Sequence, residues 1–376
     1  MTSVFYLFRD APHRRSALKL EPGSPARYSL YGLDQLVERG YAVRHNLERP
    51  APSTWARITG ASLKGGLEAA GGYGGDFATV LSSLRRLNRA DVVFSTVDTV
   101  GIPLMLLAQA RVVRPPFVYS AIGLPERLVQ LRSGRMERLY ARALGSASAL
   151  VAYSEHEADV LARWLRERGA EVPVEFVPFG VDTDAFRPTS RPPDVDVVSI
   201  GADPHRDFEL LLEVARALPE ASFLVVTTGD RARTLVGRPS NVSVETDLPF
   251  DAMRRRLEGA RIVALPVRDN SYSGATTVLL QAMALAKPVV VTRTAAIASG
   301  YGLDDGVNVR LVAPGDGVSF GTALSEVLRD DSHAKALGSR ARANVEAHLT
   351  WDRYVEPLGG LLAAAAARPD ARSPRG

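Results

Sequence analysis

The chain has no cysteine and only six histidines in 376 residues. Without thiols, disulfides, cysteine nucleophiles and thiolate metal sites are all excluded. The histidines are not spaced as metal ligands on a helix, so no metal site is expected. No apolar run approaches the ~18 residues that a membrane-spanning helix needs. The N-terminus, MTSVFYLFRDAPHRR, has its charges after its short apolar stretch, the reverse of a secretion signal. It is therefore read as a first strand, and a cytoplasmic location is the expectation. No nucleic-acid-binding motif is present. What is present describes a globular protein: 46% hydrophobic residues, 31 glycines and 24 prolines. The length allows two domains of on the order of 150 residues each.

The formal net charge is +4. Solvated arginines account for a mild excess of this kind. Attraction to an anionic substrate or membrane surface is the other reading. The strongest local case is Glu126 to Arg142, ERLVQLRSGRMERLYAR. Read as one helix, it turns Leu128, Leu131, Leu139 and Tyr140 to a core and Arg127, Arg132, Arg135, Arg138 and Arg142 outward. Such a helix is either plainly exposed or a peripheral membrane contact.

Strands and helices alternate along the chain. Ser3–Phe8, Tyr41–Leu47, Asp91–Ser95, Phe117–Ile122, Ala149–Ser154 and Glu175–Pro178 read as strands, and Ser29–Arg39 and Phe77–Leu87 as helices. Residues 50–75 are glycine-rich, poorly patterned and expected to be a mobile loop. A proline-rich linker is expected at 188–194, closing a first domain over 1–187. A second set follows over 195–350, with strands at Val195–Ile200, Phe223–Thr228, Val242–Glu245, Ile262–Val267 and Val289–Thr292. Helices are expected at Ser319–Arg329, Ser332–His348 and Arg353–Ala367, then a disordered tail over 368–376. This order predicts an α/β protein with two doubly wound parallel sheets.

Arg261 to Thr294, RIVALPVRDNSYSGATTVLLQAMALAKPVVVTRT, carries the most information. A buried strand leads into a polar loop with small residues and hydroxyls, then a helix that Lys287-Pro288 ends, then another strand. A loop entering a helix after a parallel strand presents free N–H groups and a positive dipole end, a site suited to phosphate.

This segment resembles the donor-binding signature of the retaining GT-B glycosyltransferases, the group that includes glycogen and sucrose synthases. The family pattern is Glu-x7-Glu, with Gly after the first Glu, Ala-Met-Ala after the second, then Gly-Lys-Pro-Val-Val. Gly274, Ala282-Met283-Ala284 and Lys287-Pro288-Val289-Val290 match. Ser273 and Gln281 stand where the two glutamates would be; both can hydrogen-bond hydroxyls, but neither brings a carboxylate's charge. Pro178, Gly180, Val181, Asp182, Phe186 and Pro188 are similar to the segment with which the family closes its first domain.

The resemblance implies a GT-B fold of two Rossmann-like domains facing a cleft, with a final helix over 351–367 crossing back to the first. It implies transfer of a hexose from a nucleoside-diphosphate sugar, as co-substrate, to an acceptor, with retention and with no cofactor or metal. Gly201, Arg206, Asp247, Ser273, Gly274, Ala275, Thr276, Thr277 and Gln281 are the implied donor-binding residues. Among them Arg206 would hold the diphosphate through its two-pronged guanidinium, Gln281 the ribose, and the segment at Asp247 the base. Gly23, Ser24 and Tyr28 would approach the transferred sugar or acceptor. Asp98 and His156 are the catalytic candidates at the first domain's strand ends, each with a plain capping or structural role as its rival. A small-molecule, glycan or lipid-linked acceptor is compatible, and no oligomeric state is implied. Two other functions fit less of the pattern: a non-catalytic GT-B binder of sugar nucleotides, and a GT-B epimerase, which needs carboxylates that the 271–281 loop lacks.

Overall fold

A computed structural model describes residues 1–48, 52–271 and 274–368. The chain divides into two compact units, Met1–Val177 with Tyr354–Gly376, and Pro178–Arg353.

In the first unit the order is β1 (Ser3–Leu7), α1 (Pro12–Ala17), α2 (Leu33–Glu38), β2 (Ala42–His45), α3 (Thr54–Ala69), α4 (Phe77–Leu87), β3 (Val92–Ser95), α5 (Asp98–Gln109), β4 (Phe117–Ser120), α6 (Leu124–Val129), α7 (Gly134–Leu144), β5 (Ala149–Ala152), α8 (Glu155–Arg166) and β6 (Val174–Phe176). In the second, β7 (Val195–Ile200), α9 (Phe208–Ala217), β8 (Phe223–Thr227), α10 (Gly229–Ala232), β9 (Val242–Thr246), α11 (Phe250–Glu258), β10 (Ala260–Leu265), α12 (Thr276–Ala284), β11 (Val289–Thr292), α13 (Ala295–Ala298), β12 (Arg310–Val312), α14 (Gly317–Arg329) and α15 (Asp331–His348) follow. Helix α16 (Trp351–Ala366) starts in the second unit and continues, from Tyr354, in the first.

Each unit holds one six-stranded sheet, ordered β2-β1-β3-β4-β5-β6 and β12-β11-β10-β7-β8-β9, and every named strand pair is parallel. Helices cover both faces, so the central strands are buried throughout and read as continuous apolar runs, as in VVF of β3 and IVAL of β10. In both sheets the chain starts centrally, builds to one side, then returns to the other. The reversal falls between β1 and β3 in the first sheet and between β7 and β10 in the second. Ligands of open parallel sheets bind outside the carboxyl ends of the strands at such a reversal.

Several expectations need correction. Residues 54–69 of the supposed mobile loop form α3, whose N-cap Ser53 accepts a hydrogen bond from the Ala56 N–H. Its glycines misled because one of them is a packing residue. A Cβ on Gly60 would lie 2.7 Å from the backbone nitrogen of Ala78, so only glycine lets α3 lie this close to α4. Gly60→Val is expected to destabilise the protein by roughly 1–3 kcal/mol through overpacking, read as a lower midpoint in thermal unfolding. A variant that melts with the parent would contradict this packing.

The single helix expected over 29–39 is instead a 3₁₀ turn (Pro25–Leu30) and α2, separated by Tyr31 and Gly32 in left-handed conformation. The single helix over 126–142 is likewise split into α6 and α7. The division between units falls at Val177, ahead of the proline-rich 188–194. Residues 178–187 belong with the second unit: Val181 pairs with Thr350, and the Phe186 ring meets Phe250 edge-on at 5.9 Å. The final helix does join the first unit, where Tyr354 meets Tyr153 hydroxyl to hydroxyl at 3.1 Å and Tyr41 donates to the Gly359 carbonyl at 2.9 Å. Apart from Arg368, the supposed tail lies outside the described residues. Among those residues no helix is long and apolar enough to cross a membrane.

Candidate functional site

The carboxyl edge of the second sheet gathers most of the donor-site candidates. Gly201 follows β7 and Arg206 ends the loop into α9. That loop is tied to the end of β10: Arg206 bridges Val267, the Asp207 N–H donates to the Pro266 carbonyl at 3.0 Å, and the Arg268 N–H donates to the His205 carbonyl at 2.8 Å. Arg206 is therefore not a loose surface arginine at a helix start. It is 2% exposed, and its guanidinium lies over Gly201, where a Cβ would sit 2.3 Å from Nε. Gly201 is the residue that allows this placement. Arg231 supports the loop from behind, donating to the Arg206 carbonyl at 2.8 Å and lying over the Phe208 ring at 5.6 Å.

Across the reversal, β10 runs into the loop that opens α12. Ser273 lies outside the described residues. Gly274 and Ala275 form the turn before the helix, and Ala275, as the N-cap, supplies no side-chain acceptor. Helices α4, α7, α8, α9, α14 and α15 each have such an acceptor from Asp or Ser. Thr276 is 4% exposed and Gln281 2% exposed, and the Thr276 hydroxyl and the Gln281 side-chain oxygen have no hydrogen-bond partner among the described residues. Buried polar atoms without partners are costly, so each marks a place where a ligand or water completes the structure. Thr277 is half-buried on the first turn.

The other end of α12 is locked. Lys287 donates to the Glu258 and Ala260 carbonyls at 2.7 and 2.8 Å, and Arg342 bonds the Ala284 and Phe186 carbonyls. Arg342 thus meets the negative end of α12 at Ala284, and Lys287 reaches from just beyond α12 to the last residue of α11, ends where the dipole favours a cation. The Lys-Pro pair of the sequence pattern is structural here. Asp247 is exposed, left-handed at φ 53°, and accepts from the Gly229 N–H at 3.0 Å. Its carboxylate ties β9 to the start of α10.

The first unit places its candidates differently. Gly23 is exposed at φ 80° with open space beside it, and Ser24 leads into the 3₁₀ turn. Tyr28 is half-buried, and burial raises its hydroxyl pKa above the ordinary value. This loop is anchored by a two-pronged ion pair, Arg27 to Asp34, with both bonds at 2.6 Å. His156 is the second residue of α8 and half-buried. Its neighbour Glu157 is the buried one, accepting from Gly123 N–H at 3.2 Å and from the Ser154 hydroxyl at 3.3 Å. Ser154-x-x-Glu157 is a capping pattern that was legible in the sequence.

Asp98 sits at the reversal of the first sheet and is 1% exposed. It is more than a helix cap. Tyr119 donates to its Oδ1 at 2.7 Å and Arg127 Nε to its Oδ2 at 3.3 Å. Burial pushes the carboxyl up to about 7, and the hydrogen bond from Tyr119 and the charge of Arg127 only partly offset this. The folded pKa is thus above the unfolded value near 3.8. The native state then binds more protons than the unfolded chain between those values, so this group's contribution is full below about pH 4 and is lost as pH rises through about 7. Asp98→Asn is expected to flatten that part of the melting-temperature profile between pH 5 and 8. A profile with unchanged slope would contradict a buried, proton-retaining Asp98.

Among the described residues no group of three His, Asp or Glu could hold a metal ion. Residues 195–330 match the family "Glycosyl transferases group 1". Two doubly wound sheets, the second carrying that match, give this chain the GT-B fold. The chain is 26% identical over 230 residues to a GDP-mannose-dependent monoacylated alpha-(1-6)-phosphatidylinositol monomannoside mannosyltransferase of Corynebacterium glutamicum, an alignment spanning 54% of this chain and 59% of that relative. Among solved structures, sucrose-phosphate synthase from Thermosynechococcus elongatus aligns with a TM-score of 0.73 at 15% identity, covering 97% of this chain and 99% of that one. Anabaena HepE in complex with UDP-glucose aligns with a TM-score of 0.66 at 14% identity, covering 97% and 100%. Identities this low speak for the fold alone.

Proposed function

We propose that this chain transfers a hexose from a nucleoside-diphosphate sugar to an acceptor, with retention of configuration and without a metal. The observation that carries the reading is the start of α12: an N-terminus without a side-chain cap, at the sheet reversal, with the buried Thr276 hydroxyl and Gln281 oxygen awaiting partners. Helix N–H groups and Arg206 would bind the diphosphate, and Gln281 the ribose hydroxyls. In the reaction the acceptor oxygen bonds to the anomeric carbon as the bond from that carbon to the phosphate oxygen breaks. The departing phosphate takes the acceptor's proton, and both steps occur on one face of the sugar. The protein positions the partners and stabilises the leaving charge. Retention fits the setting of Asp98, whose carboxyl is buried and held by Tyr119 and Arg127 and so is not placed as a free general base.

Since the mannosyltransferase relative uses GDP-mannose and HepE binds UDP-glucose, those two donors begin the test. In a thermal-shift titration with chelator present, a donor at 100 times its Kd is expected to stabilise the protein by ~2.7 kcal/mol. Stabilisation that appears only when a divalent metal is restored would overturn metal-free binding.

A further inference from the structure

The first unit contains a cavity of about 590 Å³ beside the Asp98 network. Its walls come from the end of α3 and the loop after it, and from α6 and the segment joining it to α7. These two segments are clamped together. The Arg132 N–H donates to the Gly71 carbonyl at 3.0 Å. The Tyr140 hydroxyl accepts from the Tyr73 N–H at 2.9 Å and donates to the Tyr73 carbonyl. The cavity is therefore built before any ligand arrives.

Two guanidinium groups line it, Arg127 and Arg132. Arg127 is fixed on two sides. Its Nε bonds Asp98, and its carbon lies 4.1 Å from the Tyr73 ring centroid, close enough for a cation–π contact. The terminal nitrogens of Arg127 make no hydrogen bond to a described residue. Arg132 is exposed and makes no ion pair with a described residue. Glu68, the carboxylate among the lining residues, is already paired with Lys64 at 3.8 Å. Gln130 adds a neutral polar group and Leu131 a buried apolar wall. A preformed cavity with two cations, one of them with its fork held in place, suits a tetrahedral oxyanion better than a neutral hydroxyl compound.

We propose that this cavity is an anion subsite that receives the phosphate group of a phosphorylated acceptor, an inference that rests on the transferase reading above. Either a soluble phosphate monoester or a phospholipid headgroup supplies that chemistry.

The full chain is titrated calorimetrically with glycerol 3-phosphate, and separately with glycerol, in low-salt buffer without nucleotide sugar. The phosphate ester is expected to bind and glycerol not. Arg127→Gln and Arg132→Ala are each expected to weaken binding ~10-fold or more, as loss of a charge-assisted contact does. Arg132 is exposed, so its variant stays readable if Arg127→Gln fails to fold. In parallel, flotation with phosphatidylglycerol and phosphatidylcholine vesicles separates the two sources. Capture by the anionic vesicles alone, lost in the same variants, assigns a lipid headgroup; binding of the soluble ester alone assigns a small phosphate. Affinity within twofold of the parent in both folded variants, equal binding of glycerol, or no binding to either probe would overturn the subsite. Because no donor is present, failure of donor binding leaves this titration unaffected, and the two readings fail separately.

Discussion

Arg206→Ala is expected to weaken nucleotide-sugar binding by ~10–100-fold, the equivalent of roughly 1.5–3 kcal/mol for a lost charge-assisted contact. The guanidinium is buried at the carboxyl end of β7 and rests on Gly201. Arg206→Lys keeps the charge but loses the fork, and should recover only part of the affinity. Gly201→Ala tests the same geometry from the other side. Its methyl group would stand 2.3 Å from Arg206 Nε, so the arginine must leave its seat. The glycine variant should therefore reproduce much of the arginine defect while retaining Arg206 itself. Isothermal titration on variants with native circular dichroism reads both effects. Unchanged donor affinity in either would remove Arg206 from the diphosphate site.

The largest stability effect is expected at Arg27 and Asp34. Both side chains are 8% exposed, and Arg27 also donates to the Ala17 and Leu20 carbonyls at 3.1 and 3.0 Å. Asp34→Ala strands a buried guanidinium, and breaking a buried pair in this way costs about 3–5 kcal/mol. Replacing both partners together, Arg27→Met with Asp34→Leu, removes the unpaired charge along with the pair. The double variant should be markedly more stable than Asp34→Ala. Chemical denaturation distinguishes the cases. A single variant within 1 kcal/mol of the parent would show that the pair is solvated and does not anchor the loop from Ala17 to Tyr31.

The alternation of strands and helices was legible because the parallel strands are buried on both faces and show as short apolar runs between helical stripes. Ile262–Val267 and Val289–Thr292 were found in this way, and the helix between them from its apolar spacing and from Lys287-Pro288. Helix α3 was hidden because glycine has two uses, breaking helices and letting them approach closely. Gly60 serves the second, which only the neighbouring Ala78 reveals. The proline-rich segment at 188–194 drew attention away from Val177. What decides the division is where Val181 and Phe186 pack, a long-range property.

The site divides similarly. The α12 start was visible because strand, loop and helix are contiguous in sequence. The meeting of Asp98, Tyr119, Arg127 and Tyr73 was not, because four separate elements supply it. One continuous helix over 126–142 would turn Arg127 outward. The break between α6 and α7 instead leaves it beside a buried carboxylate. Ser154 and Glu157, three residues apart, do carry a local signal, the capping pattern at the start of α8.

The central claim is transfer through a donor site at α12 and Arg206. Its most direct test is proton NMR of a reaction containing the α-linked nucleotide sugar that binds best, with a phosphorylated and a neutral acceptor supplied in parallel. Release of nucleoside diphosphate, together with a product whose one-bond anomeric carbon–proton coupling, which separates the anomers of mannose as well as glucose, is that of an α-linkage, is the predicted result. A β-linked product would contradict retention and identify a base in the first unit. Donor that binds tightly yet stays intact with every acceptor would contradict transfer itself and leave a sugar-nucleotide binder.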